Sequence, residues 1–555
     1  MKLKSLSATL AAALCLAAAG NGLAQDAPPP VQKVTAATPA PKLIVMIAVD
    51  QFSADLFAEY RGRFTGGLAR LASGIVFPSG YQAHGATETC PGHSTILTGN
   101  HPAHTGIVAN HYFDLSAARE DKRIYCAEDE TVADTSSGGG KYAPSVDHLL
   151  VPTLGDLMKA RDPKAQVVSV SGKDRSAIMM GGRRADELMW LVPTGLTSYR
   201  GTTLSPTAQQ ASAAIAAAIG QARPALTLPA DCAPHDIAIP LDKGGSVGTG
   251  RMARDAGDFR RFMASPEADG AVLATAAALR QARKMGEGDS TDLLIVGLSA
   301  TDYVGHSTGT EGSEMCIQMA GLDRELGDFF ARLDATGIDY VVALTADHGG
   351  HDLPERNRQN AWPDAQRVDK ALDPEAIGKA VAEKLGLPQP ILYGDGGDYY
   401  FAKTLTAAQR KAALAELLPR LRAHPQIEAV VTREELGAHP ISKRAPDTWT
   451  LMDKLSASYN PQRSGDFIIA LKPRVTPIPE SGVGYVATHG SVWDYDRRVP
   501  ILFWRKGMAA FEQPNAVMTV DIMPTLASLI GLTVDANKID GRCLDLISGP
   551  ESSCR

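Results

Sequence analysis

Residues 42–50 read KLIVMIAVD, an apolar run that ends in an aspartate. An apolar run without alternation is typical of a strand buried on both faces of a parallel sheet. The same design returns in TDLLIVGL (291–298) and IDYVVAL (338–344), which lead to Asp302 and Asp347. The three runs predict an α/β fold in which a mostly parallel central sheet is flanked by helices. Such sheets bind ligands in the crevice at the carboxyl ends of their strands.

The segments between these runs predict helices and two insertions. From 314 to 333, apolar residues recur at steps of four and three, the pattern of a long amphipathic helix. Residues 111–285 and 352–480 interrupt the strand pattern with Ala-rich helical stretches and polar loops. We expect both to form cap subdomains inserted into one catalytic domain that covers 42–550.

The first residues have the composition of an export signal. Residues 1–24 contain two lysines, an apolar run and the tripeptide Gly-Leu-Ala, which predicts a signal peptide cleaved after Ala24. The apolar run is short for a membrane anchor, the alternative interpretation, so we expect no membrane span in the mature chain. Residues 25–41 are rich in Pro and Ala and predict a linker. The predicted location is the periplasm or the exterior of the cell.

Composition and cysteine count limit the classes of protein that the chain can belong to. The 555 residues carry a net charge of −7, which gives no electrostatic footprint for a nucleic-acid partner. Export permits disulfides, and six cysteines follow the signal. Six cysteines allow fifteen pairings, of which the most local, Cys543 with Cys554, is the one we expect. The sequence contains no heptad array or internal repeat and gives no oligomeric state.

Carboxylates and imidazoles follow the predicted strands at the end where ligands bind. They comprise Asp50, the D-Y-V-G-H motif with Asp302 and His306, the D-H-G-G motif with Asp347 and His348, and His489 in T-H-G-S. Asp and His are ligands of divalent transition metals, zinc first among them. With Thr89 they number seven, too many for one tetrahedral ion, and therefore predict two ions. Two ions about 4 Å apart can clamp the attacking and the leaving oxygen of a displacement.

A candidate nucleophile lies in ATETCPGHSTILTG, residues 86–99. A threonine hydroxyl attacks poorly at neutral pH, but a metal ion that binds it would lower its pKa. Pro91 predicts that a helix begins here, and the amino end of a helix favours an anion beside the hydroxyl. Both Thr87 and Thr89 fit this description, and the residues alone do not separate them.

In this order the motifs resemble the alkaline phosphatase superfamily, and within it the branch related to type I phosphodiesterases and nucleotide pyrophosphatases. The resemblance runs from about residue 42 to 532 and implies an alkaline phosphatase-like fold, a two-zinc site and a covalent phosphothreonine on Thr89. It also implies the ligand sets. Asp302, His306 and His489 would hold one zinc, and Asp50, Asp347, His348 and Thr89 would hold the other.

Three further residues bear on the substrate. Asn110 offers an amide that can donate to a phosphate oxygen. Lys173 and Arg175 lie in QVVSVSGKDR (166–175), which alternates like a strand, so we expect the two cations to point the same way. Two cations and an amide suit the dianionic phosphate of a monoester. The arrangement resembles the PafA-type alkaline phosphatases, which have a threonine nucleophile.

The sequence therefore predicts an exported alkaline phosphatase that hydrolyses small-molecule phosphate monoesters with two Zn²⁺ ions. One alternative is a phosphodiesterase or nucleotide pyrophosphatase on the same scaffold. A second, from another class, is a metal-bearing binder of phosphate compounds without catalytic activity.

Overall fold

The computed structural model describes residues 39–132, 142–360, 362–482, 484–547 and 551–554. The predicted signal peptide (1–24) and most of the predicted linker (25–41) lie outside these residues. Within them, the strands in chain order are β1 (Leu43–Val49), β2 (Ile75–Tyr81), β3 (His111–Phe113), β4 (Arg123–Tyr125), β5 (Val167–Ser171), β6 (Glu187–Val192), β7 (Gly195–Thr197), β8 (Ile239–Pro240), β9 (Ser246–Val247), β10 (Asp292–Leu298), β11 (Tyr340–Thr345), β12 (Gln366–Arg367), β13 (Leu392–Asp395), β14 (Asp398–Phe401), β15 (Ile427–Thr432), β16 (Phe467–Leu471), β17 (Val475–Thr476), β18 (Arg498–Arg505), β19 (Phe511–Glu512) and β20 (Val517–Met518).

The helices surround these strands. In chain order they are α1 (Ala54–Tyr60), α2 (Gly67–Ala72), α3 (Thr89–Ile96), α4 (Pro102–Thr105), α5 (Leu154–Arg161), α6 (Asp174–Gly181), α7 (Pro206–Ile219), α8 (Phe259–Met263), α9 (Pro266–Arg283), α10 (Ala300–Thr308), α11 (Ser313–Asp334), α12 (Pro354–Asn360), α13 (Pro374–Leu385), α14 (Ala407–Arg422), α15 (Arg433–Ala438), α16 (Leu451–Ser456), α17 (Asp494–Arg497) and α18 (Ile522–Leu529). Helix α11 matches the amphipathic helix predicted from the apolar spacing.

Strand β1 lies inside the main sheet, whose order is β19-β2-β18-β11-β1-β10-β5-β6-β7, with β20 paired to β2. It runs parallel to both of its neighbours, and Leu43 pairs with Asp292 on β10 and with Tyr340 on β11. The strands from β11 to β6 are parallel throughout, whereas β18 and β7 run antiparallel to their neighbours. The predicted fold class, a mostly parallel sheet flanked by helices, is confirmed.

Strand β1 is buried on both faces because each face meets a separate apolar layer. Leu43, Val45, Ile47 and Val49 pack into one cluster with residues of α2, α9 and α11. The intervening residues of β1 pack into a second cluster with residues of α5 and α18. Successive side chains of a strand point to opposite faces, so a strand between two helix layers needs apolar residues at every position.

The two predicted insertions have different outcomes. Within 352–480, strands β13–β16 form a separate four-stranded sheet with its own apolar cluster. Within 111–285, however, β5, β6 and β7 belong to the central sheet, so this segment is not an insertion as a whole. The prediction failed here because β5 carries two serines, Ser169 and Ser171, and does not read as a continuous apolar run.

The disulfides join residues that are distant along the chain as well as near ones. The predicted bond between Cys543 and Cys554 is confirmed. Cys90 pairs with Cys126, and Cys232 pairs with Cys316. None of the described helices is both long enough and apolar enough to cross a membrane.

Candidate active site

Three aspartates lie together at one edge of the sheet. Asp50 directly follows β1, Asp302 lies in the first turn of α10 after β10, and Asp347 comes two residues after β11. Because these strands are parallel neighbours, their carboxyl ends meet. The exposed fractions of the three aspartates are 1%, 2% and 0%, respectively. Burying three carboxylates side by side is costly unless positive charge compensates them.

Three histidines surround the aspartates and share one orientation. In each, ring atom Nδ1 lies against a backbone carbonyl oxygen: His306 at 2.8 Å from Ala487, His348 at 2.8 Å from Gly349, and His489 at 2.7 Å from Thr87. A carbonyl oxygen can only accept, so Nδ1 carries the proton in each ring. In the neutral ring, Nε2 then holds a lone pair, which is the form that ligates a metal.

The free ring nitrogens point at the carboxylates. Nε2 of His306 and of His489 lie 3.2 Å and 3.3 Å from Oδ1 of Asp302. Nε2 of His348 lies 3.3 Å from Oδ2 of Asp347, and neither atom finds a hydrogen-bond partner among the described residues. Two lone-pair atoms that face each other in a buried site fit a bound cation between them.

The donor atoms form groups of the size that a metal ion needs. Asp302, His306 and His489 make one group, in which the ligand atoms lie within 4.8 Å of one another. Asp50 joins two further groups, one with Asp302 and His348 and one with His93 and Asp347. Mixed carboxylate and imidazole ligands suit zinc. The structure thus brings together all six predicted Asp and His ligands.

Burial and neighbouring charges set the pKa values at this edge. Burial, together with the charge of Asp347, raises the pKa of Asp50 well above its usual value. Burial opposes ionisation of Asp302, but its interactions with the His306 ring and with the Lys173 ammonium outweigh it and hold its pKa well below the usual range. Burial lowers the pKa of His348 to about 3 and keeps the ring neutral.

The Thr89 hydroxyl is the one that faces the cations. Thr89 is the first residue of α3, and its Oγ1 lies 3.4 Å from Nζ of Lys173 and 3.4 Å from Nη2 of Arg175. The hydroxyl of Thr87 instead donates to the carbonyl oxygen of Ser491 at 2.7 Å. The geometry therefore favours Thr89 of the two threonines that the residues alone left open.

Lys173 and Arg175 converge for a different reason from the one predicted. Strand β5 ends at Ser171, Lys173 precedes the first residue of α6, and Arg175 lies in the first turn of that helix. The strand alternation expected over 166–175 is therefore wrong at its end. The two side chains meet because a strand-to-helix turn directs both toward Thr89. Lys173 Nζ also lies 2.6 Å from a carboxylate oxygen of Asp50 and 2.6 Å from one of Asp302.

Asn110 is held so that its amide nitrogen remains available. Its side-chain Oδ1 accepts a hydrogen bond from the backbone N–H of Cys90 at 2.8 Å. The backbone N–H of Asn110 donates to the carboxylate of Glu88 at 2.6 Å. A backbone N–H only donates, so the side-chain atom that faces it is the oxygen. The amide nitrogen can then donate elsewhere, as the predicted phosphate contact requires.

Gln51 was missed by the sequence reasoning. Its backbone N–H donates to Asp347 at 3.1 Å, and its side-chain amide donates to Asp302 at 3.3 Å, so it bridges two carboxylates. Its φ of 63° is uncommon for a residue other than glycine, and such conformations cluster at functional sites. Gly305 makes room for it, because a Cβ there would lie 1.6 Å from the Gln51 amide oxygen. Gly305, the glycine of the D-Y-V-G-H motif, was the feature of the sequence that could have indicated a close neighbour at this position.

His93 is fully buried beside Thr89, the candidate nucleophile. Its Nδ1 lies 2.9 Å from the carbonyl oxygen of Thr89 and 3.1 Å from Oδ2 of Asp347. One ring therefore contacts both the backbone of Thr89 and a predicted ligand.

A cavity of about 450 Å³ adjoins the site on the side of the four-stranded sheet. Its lining includes Glu88 and His489 from the site and Gly396 and Asp398 from the β13–β14 hairpin, with Tyr485 beside them. A space of this size next to Glu88, the neighbour of Thr89, can hold a small organic group.

Comparison with known proteins agrees with this geometry. The family described as type I phosphodiesterase / nucleotide pyrophosphatase matches residues 44–492. The chain is 58% identical to alkaline phosphatase PhoK of Sphingomonas sp over 526 residues, which are 94% of this chain and 93% of that protein. It is 45% identical to alkaline phosphatase PhoD of Zymomonas mobilis over 92% of this chain and 89% of that one. The crystal structure of wild-type alkaline phosphatase PafA superposes with a TM-score of 0.80 at 25% identity, covering 93% of this chain and 100% of that one.

Proposed function

Because the chain belongs to the type I phosphodiesterase / nucleotide pyrophosphatase family and is an alkaline phosphatase, we propose that it hydrolyses phosphate monoesters through a phosphothreonine on Thr89. The observation that carries the proposal is the placement of the Thr89 hydroxyl 3.4 Å from both Lys173 and Arg175. Lys173 in turn contacts Asp50 and Asp302, which belong to the cluster of Asp and His side chains.

Two zinc ions are the cofactors that we propose. Asp302, His306 and His489 would hold one, and Asp50, Asp347, His348 and Thr89 the other. When bound, the ions supply positive charge that lowers the pKa of a hydroxyl and neutralises the phosphate. The facing lone pairs of His348 and Asp347 support this assignment, because a cation would satisfy both.

Hydrolysis would proceed in two displacements at phosphorus. In the first, Oγ1 of Thr89 forms a bond to phosphorus while the ester oxygen leaves and takes up a proton. In the second, water attacks the phosphothreonine, inorganic phosphate leaves and the threonine hydroxyl is restored. The amino end of α3, at which Thr89 lies, directs its dipole toward the anion that is being transferred.

Lys173, Arg175 and Asn110 would select a monoester. A phosphate monoester carries up to two negative charges and three terminal oxygens, whereas a diester carries one charge and two such oxygens. Two cations and one amide donor therefore stabilise a bound monoester more than a diester. The cavity beside His489 would receive the alcohol part of the substrate.

The test compares p-nitrophenyl phosphate with bis-p-nitrophenyl phosphate at several metal loadings. We expect the larger kcat/KM for the monoester, and two zinc ions per chain by elemental analysis. Arg175→Ala should reduce monoester hydrolysis at least about tenfold more than diester hydrolysis, because the lost charge-assisted contacts involve the additional oxygen. Faster cleavage of the diester would favour a phosphodiesterase, and no turnover of either ester would favour a binder.

Export to the periplasm or the exterior is part of the proposal. The three disulfides support it, since such bonds persist in oxidising compartments. Amino-terminal sequencing of protein recovered from outside the cytoplasm should begin at Gln25. An intact Met1 on the active protein would contradict cleavage after Ala24.

A further inference from the structure

The guanidinium of Arg175 has two hydrogen-bond contacts and one longer ion pair, in which its Nη1 lies 3.9 Å from Oδ1 of Asp174. Its Nη2 lies 3.4 Å from Thr89 Oγ1, and its Nη1 lies 3.5 Å from the hydroxyl oxygen of Tyr125. Its Nε finds no hydrogen-bond partner among the described residues. Tyr125 is therefore the hydrogen-bond partner of Nη1, the arm of the planar fork opposite the one that reaches Thr89, and the ion pair with Asp174 lies farther away.

Asp174 fixes the hydroxyl of Tyr125. The carboxylate of Asp174 accepts from Tyr125 at 2.9 Å on one oxygen and from the hydroxyl of Tyr142 on the other. A carboxylate only accepts and a guanidinium only donates, so the directions of the hydrogen bonds that join Arg175, Tyr125 and Asp174 are determined. Arg175 donates to Tyr125, and Tyr125 donates to Asp174. The hydroxyl proton is thus turned away from Arg175, which leaves a lone pair for the guanidinium.

The backbone around Tyr125 is attached to the nucleophile side of the site. The N–H of Tyr125 donates to Glu128 at 2.8 Å, and the N–H of Cys126 donates to the carbonyl oxygen of Asn110 at 3.0 Å. Cys126 is also bonded to Cys90, the residue that follows Thr89. The end of strand β4 therefore contacts three elements that meet at the phosphate: α6 through Arg175, the loop of Asn110, and α3 through the disulfide.

We propose that Tyr125 is a positioning residue for the phosphate site, which orients Arg175 toward Thr89 without touching the reacting atoms itself. The inference rests on the proposed function, because it concerns how tightly the transferred phosphate is held. It adds a residue that lies outside every motif from which the site was predicted.

The test is a double-mutant cycle on p-nitrophenyl phosphate. Tyr125→Phe removes only the hydroxyl, and we expect kcat/KM to fall about tenfold, with a similar weakening of inhibition by inorganic phosphate. In the Arg175→Ala background the same change should cost less than about twofold, because the group that Tyr125 orients is gone. Asp174→Asn weakens both the acceptor of the Tyr125 hydroxyl and the direct ion pair with Arg175, and its effect should likewise depend on Arg175.

Tyr142→Phe is the matched control. It removes the other hydroxyl that donates to Asp174, but the hydrogen bonds and ion pair of Arg175 described above do not involve Tyr142, so kcat/KM should change less than about twofold. Equal losses for Tyr125→Phe with and without Arg175, or no loss at all, would overturn the inference. Absence of monoester hydrolysis in the unaltered enzyme would instead overturn the proposed function, and the two failures are therefore distinguishable.

Discussion

In the proposed mechanism, the chemistry depends on Thr89. Thr89→Ala removes the attacking oxygen, and we expect the rate of p-nitrophenyl phosphate hydrolysis to fall at least about a thousandfold. Acid quenching of the unaltered enzyme during turnover should leave phosphate on the peptide that contains Thr89, which mass spectrometry can detect.

Thr87 provides the control for this experiment. Its hydroxyl donates to a backbone carbonyl and does not face the cations, so Thr87→Ala should keep most of the activity. A severe loss in Thr87→Ala together with a near-normal rate in Thr89→Ala would mean that the nucleophile has been assigned to the wrong threonine.

A second residue-scale prediction concerns stability in acid. His101 is buried against Trp449, and burial lowers its pKa to about 4, while Asp540 opposes the shift and His104 and Arg497 add to it. An unfolded histidine binds its proton near pH 6.5, so below this pH the unfolded chain takes up a proton that the folded chain refuses. Stability is therefore lost as the pH falls from about 6.5 to about 4.

The share of His101 in this loss is measurable by urea unfolding at pH 7 and pH 5. From the two pKa values, its contribution between these points is about 2 kcal/mol. His101→Phe keeps an aromatic ring against Trp449 but cannot be protonated, and should lose less stability over the same range by about that amount. Both proteins are compared with a chelator present, so that loss of metal does not enter. Parallel losses in the two proteins would show that His101 does not contribute.

At the scale of elements, helix α3 approaches the loop after β11 without any gap. A Cβ at Gly92 would lie 2.0 Å from the carbonyl oxygen of Asp347, which is backbone and cannot move aside. Gly92→Ala should therefore displace α3 or the Asp347 loop. We expect a loss of at least about 2 kcal/mol in the free energy of unfolding and at least about tenfold in kcat/KM.

Gly62→Ala is the control for crowding, since no heavy atom lies within 4 Å of a Cβ at that position. It should leave both the unfolding midpoint and kcat/KM close to those of the unaltered protein. If Gly92→Ala behaved like Gly62→Ala, the close contact between α3 and the Asp347 loop would not be a constraint on the site.

At the scale of the whole molecule, the proposed ligands join segments that are far apart in the chain. The first, Asp50, directly follows β1, and the last, His489, lies shortly before α17. Ions that bind only the folded arrangement stabilise it by mass action. Lys173 contacts two of the carboxylates and compensates part of their charge, so the metal-free protein should still fold.

Metal removal should therefore lower stability as well as activity. We expect chelation to reduce the unfolding temperature by at least about 5 °C in calorimetry, and zinc to restore both the temperature and the activity. Magnesium alone at the same concentration serves as the control for unspecific ionic effects. An unfolding temperature and a rate that do not respond to complete removal of metal would contradict a metal centre built from these residues.

The sequence predicted the parts of the molecule that are encoded locally. The apolar runs predicted strands β1, β10 and β11. Because parallel strands end at the same edge of a sheet, the runs also predicted that the aspartates after them lie close together. The shortest cysteine separation gave the bond between Cys543 and Cys554. Strand β5 and the turn that directs Lys173 and Arg175 were misjudged, because polar residues inside a buried strand hide its pattern.

The sequence by itself determined the fold class, the family and the set of groups at the strand ends, because burial of β1 on two faces and the motif residues are properties of short segments. The tertiary structure alone decided which threonine faces the cations, how Gln51 and Tyr125 support the site, and how Cys90 pairs with Cys126. These are contacts between segments separated along the chain, and their geometry depends on how the strands, helices and loops pack together.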